Sequence, residues 1–438
     1  MVMKKRIICL VLALVIALCL TACGGGNSNS GTQSGPASRS GGLWDKKFEG
    51  VTLKRILWYT PSESENKLVK EFEEKTGAKI VDEIVDYENY NTKIASSIAA
   101  GDPYDIGYIY GAFFPTQIIA GMYQPIDTSY MSSEYLLDAS SADTIKLGGF
   151  DINKMDYYKW KNNYYGLSSY WDVDMMVLYY RTDLFAEAGL KTPNQYVESG
   201  EWNLDTFYNL AKQLTNARAG MCGYCAGGEN TRSYAEFVQA QGTQIVKYDS
   251  NGIPSQNLND SKVLDGLNFI KKITTGATAV INANASFRKG TAAMSIDGLY
   301  EAPKMMNDSN VPNTVKNNWD IAPIPLAASN QGGAYPCDWL KAIGIVNGSK
   351  NGEAVAAFAL HMSQGKGDNI WEEYLTDEQI KRIIPYYANI NYANYAYGTL
   401  GEDYVTMIAK IIGGDDLSQL INEYKTSFKA QIDKTINE

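Results

Sequence analysis

Beyond residue 50 the chain alternates between two hydrophobic periods. Residues 51–59 are rich in β-formers and stop at Thr60-Pro61. Ser62 stands three residues before Glu65, the spacing of a capping box in which the hydroxyl serves a backbone donor and the carboxylate reaches back. Leu68, Val69 and Phe72 then share a helical face, and Gly77 ends it. Residues 79–85 predict a second strand. Residues 90–99, with Ile94 and Ile98 four apart, predict a second helix ended by Gly101. Residues 105–110 predict a third strand, and 117–119 a short helix before Gly121. Strand, helix, strand, helix, strand with short links implies a parallel, doubly wound sheet. Ligands of such sheets lie beyond the carboxyl ends of the strands. Here those ends are aromatic: Trp58-Tyr59, and 108–114 with Tyr110 and Phe113.

The alternation continues. Residues 177–180 predict a strand, and 183–188 a helix closed by Gly189. Asn203 precedes a helix over 204–214, and Asp249-Ser250-Asn251-Gly252 reads as a hairpin turn. Ser261 opens a helix with Val263, Leu264, Leu267 and Ile270 on one face. Residues 292–296 and 319–323 are strand-like. Residues 402–436 predict two helices, with Asp415-Asp416 where negative charge suits the second helix dipole. There is no repeat of solenoid type.

The first 42 residues follow a different pattern. Lys4, Lys5 and Arg6 precede an apolar run over 7–20. Spanning a bilayer takes roughly 20 residues, so the run reads as the core of an export signal. Leu20-Thr21-Ala22-Cys23-Gly24 follows directly and resembles a bacterial lipobox. That resemblance implies cleavage before Cys23 and a diacylglycerol on its thiol; a plain signal peptide with a chance cysteine is the alternative. Residues 24–42, GGGNSNSGTQSGPASRSGG, cannot build a core and read as a flexible tether.

Composition narrows the function. The chain has 438 residues, 39 Lys+Arg against 49 Asp+Glu, and 45% hydrophobic residues. That is the balance of a folded protein with large cores. The net charge of -10 argues against nucleic acid as a partner, because phosphates need clustered cations. A single histidine, His361, argues against a Ser-His-Asp triad or an H-E-x-x-H zinc site. The 31 Tyr, 12 Phe and 8 Trp suit a surface that meets ligands part apolar and part polar.

Five stretches together resemble the bacterial extracellular solute-binding proteins of ABC importers, most of all the carbohydrate-binding group that includes maltose-binding protein. They are Ala99-Ala100-Gly101-Asp102-Pro103-Tyr104-Asp105-Ile106; Ala120-Gly121-Met122-Tyr123-Gln124-Pro125-Ile126-Asp127; residues 179–190, YYRTDLFAEAGL; Glu201-Trp202-Asn203-Leu204-Asp205-Thr206-Phe207; and Phe287-x-x-Gly290-x-x-Ala293-Met294 followed by Asp320-x-Ala322-Pro323-x-Pro325. One residue separates Pro103 from Asp105, and Arg181-Thr182 stand where the group usually has Asn-Lys. The resemblance spans residues 51 to about 365. It implies an α/β fold of two lobes (type II), each a doubly wound sheet flanked by helices, with the ligand cleft between them. Lobe 1 is expected over 43–168 plus 328–364, and lobe 2 over 169–327 plus 365–438. It also implies ABC permease subunits as partners, contact with the membrane through the lipid anchor only, a location on the outer face of the cell membrane, a monomer, no cofactor and no metal.

A sugar presents apolar C–H faces and a rim of hydroxyls, so its site needs rings to stack on and carboxylates or amides around them. The clusters that combine these are Tyr170-Trp171-Asp172, Asp297 with Tyr300, and Asp338-Trp339; Glu229 with Asn230 adds polar groups in a Gly-rich loop, and Trp58-Tyr59 and Tyr110 with Phe113 add rings at the strand ends. For each, an ordinary core or surface aromatic is the competing reading. Trp160 and Trp202 are assigned to packing. Cys222-Gly223-Tyr224-Cys225 reads as a small disulfide in an oxidising exterior, with free thiols the alternative. No catalytic residue is assigned. A sugar-capturing transport protein is the favoured function; an extracellular carbohydrate-active enzyme and a surface adhesin remain open.

Overall fold

The computed structural model describes residues 39–437, apart from 140–141, 217–218, 227–233, 250–252, 276–286, 365–373, 388 and 393–399. Cys23, the tether up to residue 38, and Glu229 lie outside the described residues. The strands in chain order are β1 (Thr52–Leu57), β2 (Lys79–Ile84), β3 (Ile106–Tyr110), β4 (Lys159–Trp160), β5 (Asn163–Tyr164), β6 (Gly166–Leu167), β7 (Val173–Arg181), β8 (Cys222–Ala226), β9 (Val246–Tyr248), β10 (Pro254–Gln256), β11 (Ala292–Gly298), β12 (Trp319–Pro323), β13 (Tyr335–Ile345) and β14 (Ile390–Tyr392).

The first half follows the periodicity closely. Ser62 accepts a hydrogen bond from the Glu65 N–H and starts the helix Glu63–Thr76, which Gly77 closes at φ 80°, where a Cβ would be strained. β1 pairs in parallel with β2 on one side and β3 on the other. Alternate residues of these strands face opposite ways. Leu53, Leu57, Ile106 and Tyr108 enter the core beneath the helix Gly352–Met362, whereas Ile56 and Ile109 join the larger core of the other face. Arg55 shares the side of Leu53 and Leu57 and is fully buried there. Asp82 takes two of its hydrogen bonds, at 2.8 and 2.7 Å, and Glu65 takes a third at 2.5 Å. Burial opposes the charge on Arg55, but these partners outweigh it, and its pKa is raised. The guanidinium therefore ties β1 to β2 and to the helix behind them.

The second half is a mixed sheet. β7 runs antiparallel to β11 and β12, and β11 pairs in parallel with β8. The helices Leu204–Leu214 and Ser261–Thr275 lie where their patterns place them, the first capped by Asn203 through the Asp205 and Thr206 N–H groups. Trp202 packs as expected, its indole N–H donating to the Pro323 carbonyl at 2.8 Å.

β13 joins the halves, and periodicity alone does not reveal it, because Lys341 and Gly344 break its apolar run. Lys341–Ile345 pair antiparallel with β3, whereas Cys337–Leu340 pair antiparallel with β7 across an irregularity between Cys337 and Trp339. One strand thus changes partners, and halves, at Leu340-Lys341.

The expected Cys222–Cys225 disulfide is corrected: both are buried thiols with no bond between them. The two residues lie three apart in regular β8, paired in register with β11. Three extended steps carry the Cα atoms about 10 Å apart, beyond the reach of a disulfide. Burial pushes the Cys225 thiol up to about 12, so it stays protonated and unreactive.

Candidate functional site

The carboxyl ends of β1 and β3 carry a continuous network of rings. Trp58 is its hub. It meets Tyr90 edge-on at 4.8 Å between centroids, Tyr59 and Tyr108 at 5.9 Å, and Tyr87 and Tyr110 at 6.1 Å. Phe113 lies 5.8 Å from Tyr110 and stacks on Tyr87 at 5.1 Å. Tyr90 locks the network to the sheet: its hydroxyl accepts the Tyr108 N–H. The middle of β13, paired with the end of β3, brings a cation, with Lys341 Nζ 5.3 and 5.4 Å from the centres of Tyr59 and Tyr108.

A cavity of about 40 Å³ opens beside these rings. Tyr59, Glu65, Tyr108, Ser169, Trp171, Asp172, Lys341, Ile343, Ala359, Met362 and Ser363 line it. Asp172 is positioned by the turn before β7: its Oδ2 accepts the Ser169 N–H at 2.6 Å, and its carbonyl accepts the Lys341 N–H at 3.2 Å. Burial raises the Asp172 pKa, while Lys341, the Ser169 bonds and Lys154 pull it down. Tyr108 is pushed well above the ordinary tyrosine value by burial and by its Tyr59 and Glu65 neighbours. The wall therefore offers ring faces, a phenol that stays a donor, a hydrogen-bond-accepting carboxylate and an ammonium. It has the makings of a site for a neutral polyhydroxy solute.

The structure brings together Tyr59, Trp171 and Asp172, with Trp58 directly behind, Tyr110 one ring further out and Phe113 beyond it. Trp171 is only 9% exposed and packs edge-on against Tyr170 at 4.9 Å. Tyr170 itself is buried under Lys154 Nζ and does not reach the cavity wall. Asp297 is buried near the end of β11, where it accepts the Gly298 N–H at 2.9 Å. Tyr300 is exposed, with Lys304 Nζ 4.3 Å above its ring. Neither lines this cavity. The side chains of Asp338 and Trp339 lie outside the described residues. Sequence reasoning missed Lys341, Glu65 and Ser169, and it placed Tyr108 in the ligand-facing stretch 108–114 without assigning it a contact. Lys341 did carry a signal: a lone cation inside the run Leu340-Lys341-Ala342-Ile343.

Among the described residues no group of His, Cys, Asp and Glu is placed to hold a metal, and no helix is long and apolar enough to cross a membrane.

The family model for bacterial extracellular solute-binding proteins matches residues 60–379. The diacetylchitobiose binding protein DasA of Streptomyces coelicolor is 24% identical over 270 residues, which is 62% of this chain and 56% of that protein. The match thus spans little more than half the length of that relative. Among solved structures, the sugar-binding protein MalE from Xanthomonas citri superposes with a TM-score of 0.69 at 15% identity, covering 88% of this chain and 98% of that one. The galacto-N-biose-/lacto-N-biose I-binding protein from Bifidobacterium longum, in complex with lacto-N-biose, gives 0.65 at 16% identity, covering 89% and 99%. These likenesses establish the fold: α/β, with the two-lobe architecture of such proteins.

Proposed function

The chain belongs to the bacterial extracellular solute-binding protein family, and we propose that its solute is a carbohydrate, an oligosaccharide, which it hands to the permease of an ABC importer without chemical turnover. The observation that carries this reading is the convergence of Tyr59, Tyr108 and Trp171 with Asp172 and Lys341 on one cavity, at the point where β13 passes between the halves. Rings suit the C–H faces of a sugar, and a carboxylate accepting from hydroxyls adds about 1.5–3 kcal/mol per bond. The sugar names of the relative and the structural neighbours support the same class.

The lobes are proposed as 43–168 plus 341–364 and 169–340 plus 365–438, the boundary expected at 327–328 being moved to Leu340-Lys341, where β13 changes partners. A cavity of about 40 Å³ has room for about two waters and none for a pyranose. The proposal therefore requires the lobes to part about this strand and close again on the solute. Export, lipidation at Cys23 and tethering on the outer membrane face complete it, with the protein acting as a monomer.

The test is a thermal-shift screen of residues 43–438 against a glycan panel. A bound sugar raises the melting temperature by mass action. A hit that is returned unchanged, with compaction in small-angle scattering, is the expected result. No shift with any glycan removes the sugar reading, and cleavage of the hit favours the enzyme.

A further inference from the structure

The aromatic network does not end at the cavity. Through Trp58 it continues outward to Tyr87, which follows β2 and whose ring lies within 27° of parallel to that of Phe113. Tyr87 is 39% exposed. On the preceding strand β2, Ile84 is 52% exposed and Val81 53%, on opposite faces. Large apolar side chains this open stand out on a chain that buries most of its rings.

We propose that Tyr87, backed by Phe113, is an outer saccharide platform that takes a sugar unit lying beyond the cavity, so that this protein selects chains of three or more units over single sugars. The proposal rests on the carbohydrate reading above and adds the length of the ligand and the residue that reads it. Two observations carry it besides exposure. The first is continuity. Trp58 touches Tyr59 and Tyr108, which line the cavity, and also Tyr87, so cavity and platform share one rigid wall. The second is the polar fringe. Asp86, Glu88 and Asn89 neighbour Tyr87 in the same exposed turn, and the Asp86 side chain makes no capping bond to the short helix that it precedes. An apolar ring face with acceptors at its edge matches a pyranose, whose C–H face meets the negative face of the ring while its hydroxyls reach sideways. A fringe of charge is a poor match for an apolar protein partner, whose contact core is depleted in charge. Phe113 behind Tyr87 fixes the ring plane, so little freedom is lost when a sugar settles on it.

The experiment is titration calorimetry with two ladders, maltose to maltotetraose and diacetylchitobiose to its tetramer, plus glucose and N-acetylglucosamine. It compares the wild type with Tyr87→Ala, Tyr87→Phe and Phe113→Ala. On the ladder that binds, Tyr87→Ala should weaken tri- and tetrasaccharides by about three- to tenfold and shift single sugars less than twofold. Tyr87→Phe should keep wild-type affinity, because the ring face acts and not the hydroxyl. Phe113→Ala should fall between them. Thermal melts of empty Tyr87→Ala should fall only slightly, through its lost contacts with Phe113 and Trp58, and remain cooperative. Equal losses for all lengths would make Tyr87 a structural support of the inner site and overturn the proposal. So would unchanged affinity for long chains. A wild type silent to both ladders and to the wider panel removes the carbohydrate reading itself, a different failure, and the platform with it.

Discussion

Each half of the molecule has a cluster of rings, and the two are used in opposite ways. In the second half Phe207, Tyr224, Tyr234, Phe237 and Phe269 contact one another at 4.9–6.5 Å, and all are buried. They fill the space between the sheet and the helices Leu204–Leu214 and Ser261–Thr275. In the first half Trp58, Tyr59, Tyr87, Tyr108, Tyr110 and Phe113 contact one another at similar distances but sit where β1 and β3 end, and they run from core to surface. Ring content is the same signal in both. What separates a core from a candidate site is position relative to the strand ends, together with polar groups that arrive from elsewhere, here Asp172 and Lys341.

Breaking each cluster should therefore cost different things. Phe237→Ala removes a fully buried ring from the centre of the second cluster and should destabilise the protein by about 3–5 kcal/mol. Chemical denaturation checks this, with Tyr87→Ala as the counterpart from the first cluster, expected to cost only about 1 kcal/mol through its half-exposed contacts with Phe113 and Trp58. Comparable losses in the two would erase the distinction.

Trp171 tests the boundary between the two uses. Its ring lines the cavity on one side and packs on Tyr170 on the other. From its sequence position alone, a stacking role predicts lost affinity with little change in stability. At 9% exposure the ring is also core. Trp171→Ala should therefore lower stability by about 3 kcal/mol and in addition weaken the best glycan of the panel about tenfold. Paired melts and calorimetry separate the contributions. A stability loss with full affinity would assign Trp171 to packing alone.

How far the sequence could be read follows the same division. Regular alternation made β1, β2, β3 and their helices legible, because there local pattern and tertiary role agree. β13 was hidden: its polar residue serves a cavity built by segments 59, 108, 171 and 363, which no local window joins. Trp171 and Asp172 were legible because ring and carboxylate stand together in the chain, and Tyr59 because it follows the end of the first strand. Tyr108 was legible only as part of the aromatic end 108–114, and Glu65 was not, since it reads as a helix cap. The disulfide expectation failed because spacing alone does not say whether a C-x-x-C lies in a turn or in an extended strand.

The smallest expected effect sharpens the comparison electrostatically. The first half alone holds the histidine. His361 lies near the end of the helix Gly352–Met362, with Nε2 3.1 Å from the Leu68 carbonyl and its ring 5.7 Å from Phe72. Burial lowers its pKa below the ordinary 6.5, helped by nearby Lys75; Glu71 and the Leu68 carbonyl pull the other way. The fold thus prefers the neutral ring. Above pH 6.5 both folded and unfolded chains hold it neutral, and the stabilisation is fully present. As pH falls below 6.5 the unfolded chain takes up the proton first, so stability is lost through that window. His361→Gln keeps a side-chain amide that can donate to Leu68 and cannot titrate there. The difference in melting temperature between wild type and variant should therefore move against the wild type as pH drops from 7.5 to 5. A constant difference across that range would show that the imidazole does not set the acid sensitivity of the first half. A loss that instead follows Asp172→Asn would trace it to the cavity.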